Sequence, residues 1–415
     1  MVDSEVLSGQ LLANGIKTKH ESAKLDHNIV VVNTCGFIDK AKEESIQTIL
    51  EQVNLKQQGK LDKVYVTGCL SQRYRDDLMQ EIPEVDAWFG TMELPLILKQ
   101  LNADYKQELL GERLLATPSH YAYMKISEGC NRTCAFCAIP LMRGQHISKP
   151  IETIVAEARH LVQSGVKEIM LIAQELTYYG LDIYKKRALA DLLRHLSDIE
   201  GLHWIRLHYA YPSKFPLDVL DVMRERDNIC NYLDIPLQHA SDAMLRAMKR
   251  QVTQQEIREL LAAIREKVPG ICIRSTLIAG FPGETREDVE ILKAFLEEVQ
   301  LDRVGVFTYS HEENTSAYAL ADDLPAEEKE ARATEIMEVQ QEISYQKNQK
   351  KIGQVLKVII DKKEAGRYLG RTEFDSVEVD NEVVVSSSGP LTIGSFYPVK
   401  ITHAYDYDLA GEVIH

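Results

Sequence analysis

The chain has 415 residues, long enough for two or three domains, with 45% hydrophobic and 27% charged residues, a balance ordinary for globular protein. Its formal charge of −15 gives phosphates nothing general to be drawn to, which argues against non-specific nucleic-acid binding and favours a basic partner. The first thirty residues carry Asp3, Glu5, Lys17, Lys19, Glu21, Lys24 and Asp26, so no signal-peptide core is expected. No run approaches the roughly 18 apolar residues of a membrane helix. A cytoplasmic protein is the expectation. Seven cysteines are too few and too odd in number for a disulfide framework, and clustered thiols then point to metal or catalysis.

In chain order, a helix is expected from Asp3, read as its cap, to Asn14-Gly15, through Val6, Leu7, Leu11 and Leu12. Ile29–Val32 reads as a buried parallel strand, followed by Asn33-Thr34-Cys35-Gly36 and a helix over 38–55. The unit repeats: strand Val64–Val66, turn Thr67-Gly68-Cys69, helix from Gln72. Both turns lie beyond the carboxyl ends of strands, where open α/β sheets bind ligands, so Cys35 and Cys69 are expected to face one crevice. No strand precedes the first helix.

A second block carries strands expected at Tyr123–Ile126, Glu168–Ile172, Trp204–Leu207, Tyr232–Ile235, Cys272–Ile278 and Val304–Phe307. Amphipathic helices such as 151–163 and 289–299 separate them. Six βα units imply an incomplete barrel with its chemistry at the strands' C-terminal ends. Residues 325–351 read as a polar connecting helix with a thin stripe of Ile336, Val339 and Ile343. Short strands at Val355–Ile360, Ser376–Val379, Val383–Val385 and Tyr397–Ile401 then suggest a small β-barrel.

The most specific signal is Glu128-Gly129-Cys130-Asn131-Arg132-Thr133-Cys134-Ala135-Phe136-Cys137, directly after the first strand of the second block. Three thiolates on a four-iron cubane leave one iron open, and an open metal position is where substrate binds. Soft thiolates suit iron–sulfur clusters. The alternatives are a zinc site, for which His146 is the nearest fourth ligand, or three unrelated buried cysteines.

This loop resembles that of the radical S-adenosylmethionine (radical SAM) superfamily. The phrase from Lys125 to Gly144, with Asn33–Ile38, Thr67–Leu70 and Thr276–Thr285, looks like the methylthiotransferases along nearly the whole chain. The resemblance implies an α/β architecture in three parts: a methylthiotransferase βα domain (1–112), a partial (βα)6 TIM-like radical SAM barrel with its connecting helix (117–351), and a TRAM-type barrel (352–415) that grips substrate. It implies two 4Fe-4S clusters. One sits on Cys130, Cys134 and Cys137, binds S-adenosylmethionine and cleaves it reductively. The other, on Cys35 and Cys69, is auxiliary and delivers sulfur.

The family's first auxiliary cysteine precedes a helix beginning Asp-Ser-Glu. Here Asp3-Ser4-Glu5 has no cysteine before it. Either the natural chain starts upstream of Met1, or the auxiliary cluster is one ligand short. Phe136, Gln174, Glu175, Gly280 and Gly283 are the remaining cofactor-binding candidates; for Gln174 and Glu175 the competing reading is surface turn, for the glycines a plain strand–helix turn. Arg143, His146 and Lys149 could hold an acidic target or the cofactor carboxylate. Cys230 and Cys272 read as core. No catalytic side chain is assigned.

Two family branches compete as to substrate. Phrases Pro236–Ser241 and Thr308–Thr315 look like the branch that modifies an aspartate of ribosomal protein uS12, on the protein or the small ribosomal subunit; the other branch modifies transfer-RNA adenosine. Residues 352–415 hold ten acidic and six basic residues, a balance of −4, which suits a basic protein better than RNA. A non-catalytic zinc- or RNA-binding module is the alternative outside enzymes. A flavodoxin or ferredoxin is the expected electron donor, and no membrane partner is expected.

Overall fold

The computed structural model describes residues 1–21, 27–106, 109 and 113–414. Strands Ile29–Thr34, Lys63–Gly68 and Ala87–Trp88 pair in parallel and in sequence order. Alternation along the central strand feeds two layers. Val64 and Val66 pack with Ile49, Val53, Leu70 and Leu78, while Tyr65 packs on the other face with Leu7, Leu11 and Leu98, as a two-residue side-chain period requires. Helix Val2–Ala13 is capped by Met1, not by Asp3. Asp3 lies in its first turn and bonds Lys125 and Arg143 instead. The helix expected from Gln72 starts at Cys69 itself.

Six parallel strands, Tyr121–Lys125, Glu168–Ile172, Trp204–Leu207, Ile229–Asp234, Cys272–Ala279 and Arg303–Thr308, form the second sheet in sequence order. The first and last strands do not pair, so the barrel is open. Helices including Ile151–Gln163 and Arg286–Val299 pack outside it through one continuous apolar cluster. The helix expected as a spacer, Ala326–Gln349, is a wall of this unit. Ala333, Ile336 and Ile343 enter the barrel's cluster, and Gln340 donates to the Leu301 carbonyl.

The C-terminal unit is a closed five-stranded barrel of Val355–Glu364, Arg367–Arg371, Val383–Ser386, Phe396–Ala404 and Leu409–Val413. Its interior holds Val358, Ile360, Val383, Val385, Val399, Ile401 and Leu409. The strand expected at Ser376–Val379 is not one: those residues form a turn between two barrel strands. That turn docks on radical-unit residues at several levels of the sheet, from Arg303 at the start of the last strand to His208 just past the end of the third. Ser376 meets His208 at 3.0 Å, Tyr232 donates to Asp380 at 2.7 Å, and Arg303 pairs with Asp375 at 2.7 Å. Beside it Glu168 accepts from both Arg206 and Arg371 at 2.8 Å, and Arg371 also pairs with Asp361 at 2.7 Å.

This docking corrects the charge argument made from sequence. Asp361, Glu373, Asp375 and Asp380 are turned into the junction, as is Arg371. Five cations and six carboxylates are then left of the sixteen charged residues. The small barrel's outer surface is close to neutral, and its charge does not separate a protein substrate from RNA.

Candidate active site at the open end of the strands

The first radical-unit strand ends at Lys125, and the cysteine loop leaves from it. Ser127–Glu128 pairs antiparallel with Ile147–Ser148, so the loop is closed by its own return. Gly129 sits at φ +76°, and a Cβ there would lie 2.1 Å from the Gln145 carbonyl oxygen; only glycine permits this closure. The Cys130 amide donates to the Gly144 carbonyl at 3.1 Å, and the His146 amide to the Asn131 side chain at 3.0 Å. These bonds set the path of the loop.

Burial pushes the Cys130 thiol up to about 11 and Cys137 up to about 12, and the Cys134 thiol beside each pushes the same way. The Cys130 sulfur accepts from the Arg132 amide at 3.4 Å. The Cys134 sulfur accepts from Arg250 at 3.2 Å and lies 3.6 Å from the Tyr211 hydroxyl. As placed, no three His, Cys, Asp or Glu among the described residues make a group that could hold a metal ion. The fit to an iron–sulfur cluster rests instead on the donor set: Cys130 and Cys137 are desolvated thiols beside a third sulfur, that of Cys134, and thiols pushed up in this way ionise only when a soft cation compensates them. Two buried guanidiniums, on Arg132 and Arg250, both lie over the Tyr211 ring, 3.8 and 4.2 Å from its centroid.

Cys35 and Cys69 directly follow Thr34 and Gly68, which are paired in register. The two strand ends approach because Gly68 is at φ +103° with a would-be Cβ 2.4 Å from the Thr34 carbonyl oxygen. Cys35 is exposed and Cys69 half-buried. Burial raises the Cys69 thiol, Arg143 opposes this as a donor to it, and Cys35 nearby raises it further.

Arg143 is also where the two cysteine loops meet. It pairs with Asp3 at 2.9 Å and Glu128 at 3.5 Å. Lys125 bonds the same two carboxylates, each at 2.6 Å. Burial would raise the Asp3 carboxyl, but Lys125 and Arg143 hold it down at about 2. Gln174 donates to Glu128 at 3.1 Å, while its own amide oxygen is buried without a partner. Farther out, Glu312, just beyond the last radical-unit strand, takes Arg73 at 2.5 Å and Lys42 at 3.1 Å, joining the first unit to the open end.

The other candidates are placed as follows. Glu175 is buried with both oxygens in use, on Arg132 at 2.8 Å and on the amide and hydroxyl of Thr177. Phe136 packs against Met244, Phe281 and Tyr309. Gly280 is at φ +76° and admits the Lys329 stem, whose Cγ is 2.4 Å from a would-be Cβ; a Cβ on Gly283 would meet nothing within 4 Å. His146 bonds Ser148, and Lys149 pairs with Glu157. Cys230 and Cys272 are buried beside Trp204 and Tyr232.

Sequence reading missed Asp3, Glu128, Tyr211 and Arg250 as members of the site. Asp3 and Glu128 sit inside the quoted motifs and only their charge marked them. Tyr211 and Arg250 reach the pocket from distant loops, and no local pattern points to them.

Comparison with known proteins identifies the family. Residues 124–296 match the radical SAM superfamily, 352–414 the TRAM domain, and 1–90 the uncharacterized protein family UPF0004. A Flavobacterium johnsoniae protein named ribosomal protein uS12 methylthiotransferase RimO is 60% identical over 412 residues, 99% of this chain and 94% of that protein. A Parabacteroides distasonis protein of the same name is 51% identical over 416 residues, 100% of this chain and 96% of that protein. Among solved structures, the radical S-adenosylmethionine methyltransferase TsrM of Kitasatospora setae superposes with a TM-score of 0.51 at 16% identity, over 68% of this chain and 63% of that one. The cobalamin-dependent radical enzyme OxsB gives 0.53 at 12% identity, over 77% and 52%. Both share the fold. Bringing a 4Fe-4S cluster and S-adenosylmethionine with it, the chain belongs to the radical SAM methylthiotransferase family, in its ribosomal protein uS12 (RimO) branch.

Proposed function

We propose that this protein adds a methylthio group to the β-carbon of an aspartate of ribosomal protein uS12, in the cytoplasm and with a flavodoxin or ferredoxin as electron donor. The observation that carries the reading is the convergence of two cysteine-bearing loops, from different sheets, on Arg143. Full-length relatives at 51–60% identity bear the uS12 name, and that favours the protein over transfer RNA; the near-neutral small barrel favours neither. Among the described residues no helix is long and apolar enough to cross a membrane.

In this reading Cys130, Cys134 and Cys137 hold the cluster that engages S-adenosylmethionine, and Cys35 and Cys69 supply two of the three cysteine ligands of an auxiliary cluster that carries sulfur. When bound, these groups supply the one-electron chemistry that opens an unactivated C–H bond, which acid–base groups cannot do. The chain's own residues bind and orient. Arg250 offsets thiolate charge at Cys134, while Arg132, neutralised by Glu175, gives Cys130 its backbone amide. Gln174 offers its unpartnered amide oxygen as an acceptor for the cofactor's amino group, and Phe136 and Gly283 border its adenosine. Glu175 fixes Arg132 rather than touching cofactor, and Gly280 serves the Lys329 contact. The three functional parts are 1–112, 117–351 and 352–415. Mass spectrometry of uS12 and transfer RNA after incubation with the reconstituted, reduced enzyme decides the substrate. A methylthio gain on uS12 alone is expected; a gain on transfer RNA alone overturns the reading.

A further inference from the structure

On one flank of the cysteine loop, aromatic and guanidinium groups run from the thiols toward solvent. Arg132, whose amide bonds the Cys130 sulfur, lies between the rings of Tyr178 and Tyr211, 4.0 and 3.8 Å from their centroids. Its charge is taken by Glu175. Tyr178 is only half-buried and has a second guanidinium, that of Arg187, 5.9 Å from its centroid. Arg187 in turn donates to the Lys214 carbonyl, tying together the loops that follow the second and third radical-unit strands.

These loops carry an unusual surface for so acidic a chain. Lys185, Lys186 and Lys214 are exposed, and Lys185 and Lys214 hold left-handed backbone at φ 60° and 55°. Lys186 pairs with Asp191, and the Asp182 carboxylate is taken by the amide and hydroxyl of Ser148. The Lys185 ammonium reaches only the Asp182 carbonyl, and no carboxylate among the described residues pairs with Lys185, Arg187 or Lys214. Leu181, Ile183 and Leu217, each about two-fifths exposed, stand on the same loops. The patch is thus cationic with apolar members, beside the cluster thiols.

We propose that this corner docks a small acidic one-electron carrier of the flavodoxin type. A chain of net charge −15 repels such a partner except where cations gather locally, so steering selects this face. One electron leaves the carrier and enters the metal centre of the cysteine loop; no bond forms or breaks. The inference rests on the assignment of that centre to Cys130, Cys134 and Cys137.

The test compares the wild-type holoenzyme with Lys185→Glu/Lys214→Glu and with the charge-keeping Lys185→Arg/Lys214→Arg. Carbodiimide cross-linking to a bacterial flavodoxin, mapped by mass spectrometry, should join flavodoxin carboxylates to Lys185, Lys186 or Lys214. Reduction by flavodoxin hydroquinone should slow about tenfold in the glutamate pair at low salt, and the gap should close at high ionic strength. The arginine pair should keep the wild-type rate, and reduction by dithionite should be unchanged in all three. Cross-links that map elsewhere, or equal flavodoxin rates, overturn the proposal. So does a glutamate pair that loses binding to the small ribosomal subunit while flavodoxin reduces it normally, since the surface then serves RNA. If dithionite fails to reduce even the wild type, the cluster assignment falls, whereas cross-linking still reports on docking.

Discussion

Arg250 reaches the Cys134 sulfur from a loop more than a hundred residues away, donating at 3.2 Å and also bonding the Pro236 carbonyl. A cation held against a cluster ligand favours the reduced, more negative state. Arg250→Gln should therefore lower the reduction potential of the centre by tens of millivolts, since about 1.4 kcal/mol corresponds to about 59 mV for one electron; a potentiometric titration followed by electron paramagnetic resonance reads it. The two cysteine sets separate by a different measurement. Replacing Cys130, Cys134 or Cys137 with alanine should remove about four irons per chain, those of one cluster, and 5′-deoxyadenosine formation together. Cys69→Ala should leave 5′-deoxyadenosine formation and abolish methylthiolation. The gathering of Cys130, Cys134 and Cys137 in one loop was readable in sequence because their spacing marks it. The guanidiniums that tune those thiols were not, because their proximity exists only after folding.

Elements were legible where burial forces a pattern. The radical-unit strands showed as apolar runs because sheet and helices cover them, and Glu168–Ile172 and Trp204–Leu207 have the bounds read from sequence. The turn at 376–379 deceived because Val377 and Val379 alternate like a strand. Its backbone is set by partners in another unit: Ser376 by His208, Asp380 by Tyr232 and Arg274. Nor does counting charges reveal that Asp375 and Asp361 point inward. Such junction carboxylates respond to acid in a defined direction. Burial would raise Glu168, but Arg371 and Arg206 outweigh it and hold its carboxyl below the ordinary value. Asp361 and Asp375 are lowered likewise, by His120 and Arg371 and by Arg303 and Lys351 against burial. A carboxyl lowered on folding stabilises fully above its unfolded value of about 4, and that share is lost as pH falls through the lower folded value. Thermal melts from pH 6 downward should show the loss beginning near pH 4. Arg371→Met, which leaves Glu168 buried beside Arg206 alone, should cost about 3–5 kcal/mol at neutral pH and flatten that dependence.

At the scale of the whole molecule, the C-terminal barrel grips one end of the radical unit and the methylthiotransferase unit covers the other. The two ends differ in how they are held. The covering unit is tied largely by polar links: Asp3 and Thr91 to the cysteine loop side, and Arg73 and Lys42 to Glu312. Arg73 and Glu312 are both 3% exposed in their side chains, so the pair is desolvated and its loss leaves a buried charge. Arg73 also bonds the Gly36 carbonyl, next to Cys35, and the Glu313 carbonyl. Glu312→Ala should therefore loosen the seat of the Cys35 loop without touching Cys130, Cys134 or Cys137. The expected outcome is uncoupling: 5′-deoxyadenosine forms at close to the wild-type rate while methylthiolated product falls about tenfold or more, as misplacement of a reacting group by an ångström can cost about a hundredfold. Product and 5′-deoxyadenosine measured in one reaction give the ratio. If both fall together, Glu312 supports the radical centre itself and the two units are not independent in the chemistry. Glu312→Gln, which keeps the shape and a hydrogen-bond acceptor for Arg73, should lie between the two, because it removes the charge while leaving the contact.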